Sequence, residues 1–162
     1  MGIASAGPSD GSASQAAPNT ATITTKLVRG TLKFVPSSTN IAHDGRLTIR
    51  NANPGIPHTL TLVREGVLPD TRAERRRCFS PGHICFQAAG WHRALDNNGD
   101  NDLSTVNVGQ PGLDTLGALR KRGDSVFINR RPRSFTVTAA SGRTLPFLCI
   151  IHPWMQGEIS VE

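Results

Sequence analysis

Thr31-Leu32-Lys33-Phe34-Val35 and Arg46-Leu47-Thr48-Ile49-Arg50 set apolar side chains at every second position, and turn residues close off each run. A period of two sends successive side chains to opposite faces of an extended chain, so these runs read as half-buried strands. The pattern recurs. Thr22 to Val28 is β-rich and stops before Gly30, Ile41 leads into the Asp44-Gly45 turn, and His58 to Val63 follows the loop Asn51-Ala52-Asn53-Pro54-Gly55. Ser125 to Ile128, Ser134 to Thr138, Leu145 to Ile151 and Glu158 to Val161 continue it. About eight short strands spaced by turns predict an all-β fold, an antiparallel sandwich or barrel.

Two stretches depart from this rhythm. From about residue 69 to 117 the alternation fades, and Gly, Asn, Asp and Arg dominate. A short helix is expected to start near Asp70-Thr71 with one of the two as its cap, and the rest reads as loop. So long a loop in a compact domain marks a functional or stapled insertion. Residues 1–21 are rich in Gly, Ala, Ser and Pro and read as a flexible tail or tether, leaving 22–162 as one domain. The tail lacks the basic start and apolar stretch of an intact signal peptide. No apolar run approaches the ~20 residues that span a bilayer.

The formal charge is +6. The excess is Arg, clustered at Arg72 to Arg77 and Arg120 to Arg133. Guanidinium groups fork onto carboxylates, so these clusters are either an acidic-partner docking surface or a solvated basic face. Nucleic-acid binding would want aromatic residues interleaved with the base or a recognition helix, and neither stands near the clusters.

Near the C-terminus, Cys149-Ile150-Ile151-His152-Pro153-Trp154-Met155-Gln156-Gly157 places a thiol, an imidazole and a thioether at C-x-x-H-x-x-M spacing. The strand is expected to end at Cys149, so His152 and Met155 fall on the loop that follows. One further imidazole would complete a His₂Cys set with a weak axial Met, the donors of a blue-copper centre. Thiolate and thioether favour Cu(I), and imidazole suits both copper states. His58 is the candidate for the fourth donor: it begins a strand, and Pro57 fixes the backbone before it.

Asn53-x-x-x-Pro57-His58-Thr59 ahead of one strand, with Cys149-x-x-His152-Pro153-x-Met155-x-Gly157 before the last, resembles the plastocyanin-like cupredoxins, with an amicyanin-like copper loop. The resemblance covers roughly 31–67 and 118–162. It implies a Greek-key β-sandwich with one type 1 copper at one pole, held by His58, Cys149, His152 and Met155. It also implies that His152 is partly exposed and passes electrons in and out, within an apolar rim for which Ile56, Pro57, Pro153 and Trp154 are candidates. Thr59 stands where the family often has Asn or Ser to brace the copper loop. The 69–117 insertion has no counterpart in the minimal family; it covers the copper pole, docks a partner or decorates a remote edge.

With Cys149 on copper, Cys78 and Cys85 are left as a pair. The six residues between them include Pro81-Gly82, a compact loop suited to a disulfide worth ~2 kcal/mol and implying an oxidising compartment. The rival is a zinc site from Cys78, His83, Cys85 and His92, whose spacing matches no standard module. His43 reads as a turn residue. Asp96-Asn97-Asn98-Gly99-Asp100-Asn101-Asp102 has the opening rhythm of a calcium loop but lacks its later Gly and Glu, and otherwise reads as a polar turn.

The expected function is a soluble electron carrier cycling Cu(II) and Cu(I), not an enzyme. Multicopper enzymes need further His pairs, and no His-x-His occurs. The alternative is a copper transport or storage protein, which would want more thioethers than Met1 and Met155. The expected setting is extracytoplasmic, either periplasmic or at the cell surface. The expected protein is a monomer tethered to the membrane through its tail, with acidic redox proteins as partners and no nucleic acid. A purely structural binding sandwich is the remaining class.

Overall fold

The computed structural model describes residues 16–93 and 104–162. Most of the tail and the Asp96–Asp102 motif lie outside them. The elements run β1 (Thr20–Val28), β2 (Thr31–Val35), β3 (Ser38–Ile41), β4 (Arg46–Asn51), β5 (His58–Leu62), α1 (Arg72–Arg77), α2 (Ile84–Trp91), β6 (Thr105–Val106), β7 (Ser125–Ile128), β8 (Arg133–Thr136), β9 (Thr144–Leu148) and β10 (Gln156–Val161).

The strands form two sheets, ordered β2-β1-β4-β8 and β3-β10-β9-β5-β7-β6. Ile23, Phe34, Leu47 and Ile49 of the first sheet meet Ile41, Leu60, Leu62, Val126, Ile128, Leu145, Phe147, Ile159 and Val161 of the second in one buried cluster. This is the sandwich that the alternation predicts. Two pairings correct the expectation of an antiparallel fold: β1 runs parallel to β4, with Thr20 opposite Arg46, and β10 runs parallel to β3. Strand periodicity sets which face a residue occupies, not the direction of its neighbour, so the sequence carried no signal for either. β1 begins at Thr20, two residues before the strand read from sequence, and β3 replaces part of an expected turn.

The 69–117 segment is not a structureless loop. Thr71 caps α1 in a capping box with Glu74, whose amide donates to the Thr71 hydroxyl at 3.1 Å while its carboxylate accepts from the Thr71 amide at 2.8 Å. Cys78 and Cys85 form a disulfide that joins α1 to α2, so neither is available to zinc. Ile84, Cys85, Ala88 and Trp91 of α2 pack with Val63, Leu148 and Ile150 in a second cluster. The insertion therefore covers the outer face of the second sheet, and β5 is buried along its whole length. A Cβ at Gly117 would run into the Trp91 ring, so the chain passes over α2 only with glycine there.

Candidate metal centre

His58 opens β5, and Cys149 directly follows β9. β5 and β9 are paired antiparallel, which brings these two chain segments side by side. The chain then turns through 149–155 and returns as β10. The Met155 amide donates to the His152 carbonyl at 2.8 Å, and the Cys149 amide donates to the Met155 carbonyl at 2.9 Å. These two bonds close the loop, and His152 lies against Cys149 within it. Gly157 permits the return: a Cβ there would meet the Ser37 carbonyl and the Phe147 ring.

The Cys149 Sγ lies 3.7 Å from Nδ1 of His152 and 3.9 Å from Nδ1 of His58. One donor atom from each of the three residues falls within 4.8 Å of the others. Two donors bound at about 2.0 and 2.3 Å to one ion, roughly 120° apart, lie about 3.7 Å from each other, so the residues fit a single ion in their midst. Met155 is buried in the core cluster that includes Cys149.

The surroundings favour a metal over charged side chains. Burial, and then the nearby His152, lower the His58 pKa to about 4. Burial also lowers that of His152 and raises that of the Cys149 thiol. Both imidazoles therefore resist protonation, while the thiol keeps its proton until an ion displaces it. His58 Nε2 is buried with no hydrogen-bond partner among the described residues. An unpaired buried nitrogen costs about 1–3 kcal/mol, a cost that a metal bond at Nδ1 readily offsets.

Thr59 binds both chain segments. Its amide donates to the Cys149 sulfur at 3.3 Å, and its hydroxyl accepts from the Ile150 amide at 2.9 Å. It thus does by side chain and backbone the bracing that its position led one to expect. His152 is half-buried, its ring 5.2 Å from that of Trp154, which is 46% exposed. Ile56 and Pro57 are also exposed, but Pro153 is buried and so does not belong to the rim.

Of the remaining candidates, His83 and His92 hold no metal with the bonded cysteines. The Nδ1 of His43 lies 2.9 Å from the Ala139 carbonyl. Sequence reading gave no role to Pro69 or Gln156 and placed Arg75 only in the Arg72 to Arg77 basic cluster. The Pro69 carbonyl accepts from both Arg75 Nε and Gln156 Nε2 at 3.0 Å, which ties the start of the insertion to the end of the metal loop. Polar residues so far apart in sequence left no pattern from which to read this contact.

No family model and no curated sequence matches the chain. Solved structures similar to it include a purple cupredoxin from Nitrosopumilus maritimus, at 14% identity and TM-score 0.47, covering 88% of this chain and 99% of that one. A reduced auracyanin from Roseiflexus castenholzii gives 15% identity and TM-score 0.45 over 91% and 99%. An oxidised amicyanin variant gives 13% and 0.46 over 91% and 87%. The similarity is distant, so the reading of the site rests on its own geometry. The two-sheet sandwich brings buried His58 and Cys149 together with half-exposed His152 beside the loop that carries buried Met155, and this donor set fits one type 1 copper.

Proposed function

We propose that this protein is an electron carrier whose single copper is held by His58, Cys149, His152 and Met155. Copper there would supply the Cu(II)/Cu(I) couple; the chain supplies a closed set of donors and a route outward. The observation that carries this reading is the union of a buried His58–Cys149 pair with a half-exposed His152 lying against exposed Trp154. A loop cross-tied by its own backbone changes little between oxidation states, which keeps electron transfer fast. Lys33 and Arg75 line a groove with Trp154 and Met155, and Arg72, Arg76 and Arg77 are exposed nearby in sequence. This supports redox partners with acidic surfaces, met at a rate that falls with salt. The Cys78–Cys85 disulfide supports an oxidising, extracytoplasmic setting.

Voltammetry of the copper-loaded protein tests the reading. A fast, reversible one-electron wave is expected, and Met155→Gln should keep copper but lower the potential, because an oxygen donor favours Cu(II). A sluggish wave, together with copper lost within minutes to a Cu(I) chelator, would instead favour transport or storage.

A further inference from the structure

Thr59 and Thr61 leave β5 on the face turned away from the sandwich core. They are 1% and 0% exposed, because the insertion lies over them. Ser125, on neighbouring β7, is 0% exposed. Three hydroxyls buried together must each find a partner, and here they find one another. The Thr61 hydroxyl donates to Thr59 Oγ1 at 3.1 Å, Thr61 and Ser125 are 2.7 Å apart, and Ser125 Oγ lies 2.8 Å from Nε2 of His92.

A proton count gives this chain a direction. A hydroxyl has one proton to give. Thr61 spends its own on Thr59, so Ser125 must donate to Thr61. Ser125 then has none left for His92, so His92 Nε2 must carry hydrogen and donate to Ser125. Every bond points from His92 toward Thr59, and bonds aligned in this way strengthen one another. The chain ends on the residue that holds the metal loop: Thr59 Oγ1 also takes the Ile150 amide, and the Thr59 amide points at the Cys149 sulfur.

We propose that His92 is a positioning residue for the metal centre, heading a one-way hydroxyl relay through Ser125 and Thr61 that fixes Thr59 against Cys149. The insertion thus reaches the thiolate through hydrogen bonds without touching the metal. The inference rests on the copper reading for its electronic consequence but not for its geometry. A firmly held N–H···S bond stabilises the electron-rich thiolate and so raises the potential of its metal. Loosening Thr59 should therefore lower it.

Two measurements test the proposal. Nitrogen-15 NMR of the metal-free and the diamagnetic Cu(I) protein reads the His92 tautomer directly. A hydrogen on Nε2 is expected; a bare, accepting Nε2 would reverse the relay and overturn the proposal. In copper-loaded protein, His92→Phe and Ser125→Ala should each lower the potential and shift the thiolate charge-transfer band in the same direction. The double variant should go no further than the stronger single one, and His92→Gln, which keeps a donor, should stay close to the wild-type potential and band. Wild-type potentials and bands in both single variants would overturn the proposal. If the wild type shows no charge-transfer band, the copper reading fails alone, and the tautomer still decides the relay.

Discussion

His58, Leu60 and Leu62 leave one side of β5, and Thr59 and Thr61 leave the other. The first set joins the sandwich core and the metal centre. The second is roofed by the 69–117 segment and linked to it through Ser125 and His92. One five-residue strand thus carries a residue of the candidate metal centre on its inner face and its bracing on its outer face. Burial on both faces of a strand thus need not mean apolar side chains on both. The outer face stays polar because each hydroxyl has a partner, and an unpartnered one would cost about 1–3 kcal/mol.

The largest effects belong to the inner face. Cys149→Ser and His58→Ala should each abolish the charge-transfer band while leaving the far-ultraviolet circular dichroism of the sandwich unchanged. Retention of the band in either variant would remove that residue from the donor set.

A second effect belongs to the insertion. Asp124 accepts from the amides of Val108, Asp114 and Thr115, holding the second half of the insertion to the sheet. Burial nevertheless raises its pKa to about 6 from the usual 3.8. A carboxylate whose folded value is raised destabilises the fold when ionised. Stability should therefore rise as pH falls through about 6 and level off near 3.8, by about 3 kcal/mol at most. Denaturant unfolding of the wild type against Asp124→Asn isolates the slope; equal slopes in both would contradict the assignment.

The third and smallest effect is the disulfide. Cys78→Ser with Cys85→Ser should cost about 2 kcal/mol, read by thermal unfolding, and leave the band in place. Loss of the band would mean that α1 and α2 form part of the metal centre itself rather than a roof.

These two regions also differed in how far the sequence could be read. Alternation in β2 and β4 is a direct consequence of one wet and one dry face. The Cys149-x-x-His152-x-x-Met155 spacing sits within one loop, where spacing in sequence is spacing in space. Thr71 was legible as one of two cap candidates, since a cap is local. The relay was not. Thr59 and Thr61 alternate with Leu60 and Leu62 as any solvent-facing residues would, and nothing local announces a roof. That roof, α2, did leave a trace: Ile84, Ala88 and Trp91 recur at helical spacing, but exposed Phe86 and interior Gly90 blur the stripe. The parallel pairings of β1 with β4 and β3 with β10 depend on contacts between distant strands, which no local pattern encodes.

The most direct test is Cu(II) titration of the metal-free protein, followed by visible absorption. An intense thiolate-to-copper band that saturates at one copper per chain is expected. A colourless protein, or one with only weak d–d absorption, would contradict this, leaving His58, Cys149, His152 and Met155 as a cluster without a metal.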